Sequence, residues 1–292
     1  MAPSGAILAI MEAMRRFLFP VLQILVLLIV VEGLFLLTKQ PRDGRAWLPE
    51  QARTAVAEVS EEVTLTNVRD WTYDASGPVT TEWTTATINP NDITRAWFLI
   101  EPFSTLEAVG HTFLSFELSD GRVYSFSVEA RREEGETYSA VQGLFREYEL
   151  SYQWGTERDF VTRRLIYLDH PLRLYPLTLS PEASQALFLS LIEETNNLAE
   201  RPRFYHTLSA NCTNVLAKIV NKHYPGTLPW DTSWYLTGYA DRYLMREELI
   251  DAPNGIEAAI AANDLTPFKA EVAALASSTP TVFSASIREL LK

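Results

Sequence analysis

A single cysteine, Cys212, stands in the run His206-Thr207-Leu208-Ser209-Ala210-Asn211-Cys212-Thr213-Asn214-Val215-Leu216, where polar capping residues open an amphipathic stretch. At helical spacing Cys212, Val215, Leu216 and Ile219 share one stripe, and Thr213, Asn214, Lys218 and Asn221 share the other. The thiol is therefore expected in the first turn of a helix, facing the core or the floor of a cleft. Unpaired amides and the helix dipole at that place favour the thiolate over the free thiol, whose pKa is about 8.5. Two other readings fit the same residues. A lone cysteine on an apolar stripe suits plain packing, and Asn211-Cys212-Thr213 would serve as a glycosylation sequon on an exposed loop.

A base for such a thiol is offered by Gly110-His111-Thr112-Phe113-Leu114-Ser115-Phe116-Glu117-Leu118, which runs through Ser119-Asp120-Gly121 into Arg122-Val123-Tyr124-Ser125-Phe126-Ser127-Val128-Glu129-Ala130-Arg131. This reads as a β-hairpin. A two-residue Asp120-Gly121 turn mixes polar and apolar groups on each face. A three-residue loop with left-handed Gly121 instead unites Leu114, Phe116 and Leu118 with Tyr124, Phe126 and Val128 on one buried face. In that register His111 lies opposite Glu129, with Cβ atoms about 4.5 to 5.5 Å apart, close enough for the carboxylate to fix the imidazole tautomer.

These two places need a sheet and a helix to hold them. From about Leu65 to Leu179, Thr, Val, Tyr, Phe and Trp alternate with polar residues between turn signals at 74–78 and 89–91, which predicts a largely antiparallel sheet. Beyond it, Ser180-Pro181-Glu182 starts a helix over about 181–199, another helix follows Asn211, a third covers roughly 233–249, and the Ala-rich 256–276 suggests two short ones around Pro267. The class is α+β.

At the N-terminus, Phe17 to Leu37 is apolar enough to cross a hydrocarbon core of about 30 Å. The run ends at Thr38-Lys39 without a small-residue cleavage pattern, so it reads as an uncleaved anchor. Arg15 and Arg16 before it and Lys39, Arg42 and Arg45 after it leave the orientation undecided by charge. The divisions expected are a tail (1–16), a transmembrane anchor (17–38), a juxtamembrane linker (39–63), a catalytic domain (64–252) and a helical extension (253–292).

Composition excludes several classes. A net charge of -12 disfavours nucleic acid as a partner. One cysteine excludes an internal disulfide, a Cys-rich structural zinc site and a CxxC redox motif. With no Gly-rich phosphate loop and no metal-ligand cluster in view, neither cofactor nor metal is expected.

Asn67-Val68-Arg69-Asp70, Ala96-Trp97-Phe98, Glu101-Pro102-Phe103, Gly110-His111-Thr112-Phe113, Ser127-Val128-Glu129-Ala130-Arg131, Tyr148-Glu149-Leu150, Glu157-Arg158-Asp159, Asn211-Cys212-Thr213 and Gly238-Tyr239-Ala240-Asp241-Arg242-Tyr243 follow one another over residues 64–252. In that order they resemble the bacterial DUF4105 domains, also named after the N-terminal periplasmic domain of the lipoprotein-processing acyltransferase Lnb. The order of His before Cys is also similar to circularly permuted papain-like enzymes, including NlpC/P60-related hydrolases and lecithin:retinol acyltransferase-like transacylases. The resemblance implies a permuted papain-like fold, with Cys212 as nucleophile, His111 as base and Glu129 as third member, a place Ser127 or Arg131 could also take. Asn211 would line the site. Arg131, Glu149, Arg158 and Asp159 either line it too or form a structural ion-pair network, and His206 is an alternative base.

The implied location is the bacterial inner membrane, crossed once, with the folded domain in the periplasm. The implied activity is thioester-mediated acyl transfer or hydrolysis, with lipoprotein or lipid as substrate. A peptidoglycan amidase or peptidase of the same thiol type is the rival enzyme, and a non-catalytic envelope scaffold the rival outside enzymology. Trp71, Trp83 and Trp97 are expected in the core, with a membrane interface as the other reading.

Overall fold

The computed structural model describes residues 4–42 and 44–292, in two units, Met1–Asp43 and Gly44–Lys292. The first unit holds one helix, α1 (Ser4–Thr38). Its Met14–Thr38 stretch has a mean hydropathy of 2.6. At about 1.5 Å per residue it is about 37 Å long, more than enough for a hydrocarbon core of about 30 Å. Large apolar side chains such as Phe17, Leu27 and Leu37 are exposed along it, as suits a helix whose partner is lipid rather than protein.

The second unit is built on eight strands: β1 (Val56–Val59), β2 (Val63–Asp74), β3 (Gly77–Ile88), β4 (Ile93–Glu101), β5 (His111–Leu118), β6 (Val123–Arg131), β7 (Glu149–Thr156) and β8 (Arg173–Pro176). They form one mixed sheet in the order β1-β2-β7-β6-β5-β4-β8, with β3 also pairing β2. Pairing is antiparallel except between β2 and β7, which run parallel at Arg69 and Gly155. The β5–β6 hairpin has the anticipated register: Phe113 faces Ser127 and Glu117 faces Val123, around a loop in which Gly121 takes φ +83.

Helices cover both faces of this sheet. Glu157–Val161 forms α2 and Thr162–Tyr167 a turn of π-helix. There follow α3 (Pro181–Glu200), α4 (Cys212–His223), α5 (Ala240–Arg246), α6 (Ile256–Ala262), α7 (Lys269–Leu275) and α8 (Pro280–Glu289). One core unites Leu114, Phe116 and Phe126 with Phe188 and Leu191 of α3 and Val215 of α4. The other unites Phe113 with Phe160, Leu165, Val272 of α7 and Phe283 of α8. Both faces of the middle strands are therefore covered, and all eight residues of β7 are buried.

Three expectations need correction. Residues 157–167 are helical rather than strand, because the Thr156 hydroxyl accepts from the Asp159 amide and caps a turn with acidic residues at its start. The helix expected over 233–249 is broken into 3-10 turns at Thr232–Trp234 and Thr237–Tyr239 before α5. The cause is close backbone approach, since a Cβ on Gly238 would collide with the Glu107 carbonyl oxygen. The stretch expected as linker joins the fold from Gly44 onward, where β1 pairs with β2 and Asn196 of α3 bonds both backbone groups of Ala57, closing an otherwise open strand edge. Trp71 and Trp97 are core residues and Trp83 is half-buried, edge-on to Trp71.

Candidate functional site

Cys212 is the first residue of α4, where a capping box holds the backbone. The Asn211 side chain accepts from the Asn214 amide at 2.8 Å, and the Asn214 side chain accepts from the Asn211 amide at 3.1 Å. Such a cap stabilises a helix start by about 1 kcal/mol. The Asn211 side-chain amide donates further to the carbonyls of Thr207 and Trp234 at 2.9 and 3.0 Å, locking two loops onto the helix start. Asn211 is buried, so it is not the exposed loop residue a glycosylation sequon requires.

His111 opens β5, and Thr112 ties that strand to α4 through a 3.1 Å hydroxyl contact with Thr213. On the opposite face of the sheet, His111 Nε2 lies 2.7 Å from Ser127 Oγ and 3.2 Å from Glu129 Oε1, and Ser127 donates to the same carboxylate oxygen at 2.7 Å. This arrangement places the Nε2 proton toward Ser127 and Glu129. The Cys212 sulfur lies 3.9 Å from Thr213 Oγ1, and the charge of His111 acts on it.

The electrostatics favour a thiolate–imidazolium pair. Burial alone would push the Cys212 thiol up, but the charge and hydrogen bond of His111, with bonds from Thr112, bring it below the usual thiol value. Burial alone would lower His111, but the Glu129 carboxylate and the Cys212 sulfur outweigh it and raise the imidazole to about 10. Glu129 is likewise held well below the usual carboxylate range, where burial opposes and His111 and Arg164 prevail.

Arg164 was not anticipated from the sequence, and it organises the layer behind the histidine. Its Nη2 donates to Glu129 Oε1 at 2.9 Å, and its Nε lies 2.8 Å from Glu101 Oε2. Glu101 also accepts from His170 Nδ1 at 2.6 Å. The guanidinium is almost fully buried, 4.3 Å from the Phe113 ring centre and 5.0 Å from that of Phe160. A π-helical turn carries it, a geometry common where a backbone is bent to aim a functional side chain. Only the unexpected helix at 157–167 could have signalled it.

Tyr138 and Tyr205, with hydroxyls 3.0 Å apart, complete the surroundings; burial, with the Cys212 charge adding to it, raises both phenols and keeps them protonated.

The structure thus brings together Cys212, His111, Ser127, Glu129 and Asn211. Three other candidates have partners elsewhere. Arg131 donates to the carbonyls of Gln51 and Ala52 and lies over the Trp47 ring. Arg158 pairs with Asp70 at 2.8 Å and donates to the Ser278 carbonyl. His206 accepts from the amides of Leu208 and Ser209 through Nδ1. Glu149 sits opposite Arg131 in the β6–β7 register, and Asp159 binds Arg69, its closest oxygen 2.6 Å away. Among the described residues one group could hold a metal, Glu193, Glu194 and His223, and Lys222 Nζ already lies 2.6 Å from Glu194 there.

An apolar cavity of about 260 Å³ adjoins the site. It runs along α4 from Thr213 through Leu216, Ala217 and Val220 to Tyr224, and Thr112 and Thr213 form its end nearest the thiol.

Comparison with known proteins gives one assignment. The Lnb N-terminal periplasmic domain family matches residues 80–238, more than half of the 292-residue chain and a span containing His111, Ser127, Glu129 and Cys212. No curated protein and no solved structure matches. The chain belongs to the Lnb N-terminal periplasmic domain family.

Proposed function

Starting from that membership, we propose that the protein is a thiol acyltransferase or hydrolase of the cell envelope, held in the inner membrane by α1 with its folded unit in the periplasm. The observation that carries the reading is a helix-start thiol under the charge of an imidazole whose Nε2 is engaged by Ser127 and Glu129. A histidine on the first residue of a strand that is tied, through Thr112 and Thr213, to a later helix opened by a cysteine also supports a permuted papain-like arrangement.

In this mechanism the His111 imidazole takes the Cys212 proton, and the thiolate attacks an ester or amide carbonyl. The capping box uses the Asn214 amide, so the amides of Cys212 and Thr213, at the first two helical positions, are placed as donors to the oxyanion. Collapse breaks the carbonyl–oxygen or carbonyl–nitrogen bond, His111 returns its proton to the leaving group, and a thioester remains on Cys212. An amine or a water molecule then attacks that thioester, with His111 taking its proton, and the thiol is regenerated.

The cavity favours an acyl substrate over a cell-wall peptide. Its lining is almost entirely Leu, Ala, Val and aromatic side chains, which offer a sugar or a charged peptide few hydrogen-bond partners and an alkyl chain a favourable transfer from water. Lipoprotein or lipid acyl groups fit that chemistry. The test is intact-protein mass spectrometry after incubation with bacterial diacyl lipoprotein, comparing wild type with Cys212→Ser and His111→Ala. An acyl-sized adduct on Cys212, weakened without His111, is expected. No adduct and unchanged lipoprotein would overturn the acyl reading in favour of cell-wall hydrolysis or a scaffold.

A further inference from the structure

Four loops close a ring around the Cys212–His111 pair. The loop before His111 meets the 3-10 segment near Gly238, where Gly238 N–H donates to the Ala108 carbonyl and the Gly110 amide donates to Thr237 Oγ1. The segment containing Trp234 is held to the start of α4 by Asn211, which also holds Thr207 on the loop that precedes α4. Thr207 in turn bonds Gly143 and Ala140 of the loop between β6 and β7. Phe103 and Tyr138, edge-on with centres 6.1 Å apart, close the circle.

Each of these loops carries large apolar side chains in the open. Leu106 is 67% exposed, Val141 65%, Leu208 51% and Trp230 65%, with Phe145 and Leu236 also exposed. Soluble surfaces tolerate single exposed apolar residues, but a set spread over every loop around one site marks an interaction surface.

We infer that this ring is a membrane-contacting mouth, its tips inserting among lipid headgroups so that the thiol opens onto the bilayer surface. The occupant follows from features of the same chain. Its N-terminal helix is long and apolar enough to span a bilayer, so lipid is the surface the folded unit meets. The tips combine aliphatic residues with Trp230 and Tyr235, rings 6.3 Å apart, and such aromatics favour the interfacial zone. A net charge of -12 gives no help to adsorption on anionic headgroups, leaving apolar insertion as the driving force. Two of the charged neighbours on these loops are paired, Glu107 with Arg242 and Asp231 with Arg246, which lowers their cost of approaching lipid. The inference goes beyond the acyl-transfer reading, and its first test does not depend on catalysis.

That test uses the full chain in nanodiscs of phosphatidylethanolamine and phosphatidylglycerol. Cys212→Ser removes the native thiol, so a nitroxide can be attached singly at Leu106→Cys, Leu208→Cys or Trp230→Cys, with Val79→Cys and Val282→Cys as exposed controls from β3 and α8. Thermal unfolding checks that each variant is folded. Power saturation with oxygen and with a water-soluble nickel chelate should show the three mouth positions relaxed preferentially by oxygen and the controls by nickel. Mouth labels as nickel-accessible as the controls would overturn the proposal.

A second measurement uses Leu106→Ser with Trp230→Ser, keeping Cys212. Alkylation of the thiol by iodoacetamide should be unchanged, while adduct formation from a donor embedded in nanodiscs should fall about tenfold and from the same donor in detergent should not. An equal fall in both media would overturn it.

Discussion

At the His111 end of β5 the two faces of the strand are covered by opposite chemistry. Behind His111 the odd-numbered face meets Ser127, Glu129, Arg164 and Glu101, a packed layer of hydrogen-bonded charge. On the even-numbered face Thr112 and Leu114 look onto α4 and an apolar cavity. In the proposed reaction the histidine carries a proton and needs fixed charge behind it, and that charge is costly unless each group has a partner. The thiol of that reaction needs room beside it for a substrate, and room that stays apolar selects what fills it. The same strand thus serves one residue by filling space and the other by leaving it open.

The sharpest way to break this contrast is to remove one member of the pair. His111→Ala should lower thioester formation by about 10²- to 10⁴-fold, the usual range for loss of a general base, measured as adduct rate by mass spectrometry. The thiol should change with it. Without the imidazole, burial dominates, so the pH at which iodoacetamide alkylation of Cys212 reaches half its maximum should move from below the ordinary thiol value to above it. An unmoved midpoint would show that the two residues do not interact.

Arg164→Met tests the charged face. Removing their shared guanidinium leaves Glu129 only His111 and Ser127 and Glu101 only His170, and the expected destabilisation is about 3 to 5 kcal/mol in chemical denaturation. Glu129 is depressed in the folded protein, so its stabilisation is present above the unfolded carboxylate pKa and is lost as pH falls through the lower folded one. In Arg164→Met the folded Glu129 pKa rises toward the unfolded one, so the acid-dependent loss should be smaller and complete at higher pH. The opposite sign holds for His111. Raised to about 10, it contributes fully below the unfolded pKa of about 6.5 and loses that contribution as pH rises through about 10. Wild type should therefore weaken at both ends, and Arg164→Met should keep the alkaline limb but show a shallower acid limb; superimposable acid limbs would sink the assignment of Arg164.

Ala217→Phe tests the apolar face by filling the cavity. Adducts from a long-chain donor should fall about tenfold while those from an acetyl donor stay within about twofold, with an overpacking cost of about 1 to 3 kcal/mol. Equal effects on both donors would mean that the cavity holds no chain. Ser127→Ala should have the smallest effect, about 1 kcal/mol in stability, because Glu129 Oε1 remains 3.2 Å from His111 Nε2; a loss as large as that of His111→Ala would make Ser127 the essential link.

Much of this was legible locally. The cap at Asn211, the helix from Pro181 and the hairpin register that aligns His111 with Glu129 are all short-range consequences of spacing, turn chemistry and side-chain alternation. Arg164 and Glu101 were not legible as a pair, because 63 positions of sequence separate them and neither has a periodic or motif signature that names the other. Arg131 and Arg158 illustrate the reverse: their proximity to the motifs suggested a place in the site, but backbone carbonyls and Asp70 are what they bind.

By itself the sequence determined the apolar N-terminal helix, the α+β class, and the local frames that present a thiol and an imidazole, since each depends on neighbours within a few residues. Only the tertiary structure decided that α4 would pack where Thr213 meets Thr112, that a π-helical turn would deliver Arg164 behind Glu129, and that a cavity would remain along α4. Those outcomes depend on how a mixed sheet twists and on which helix covers which face, a balance of many buried contacts that no local pattern encodes.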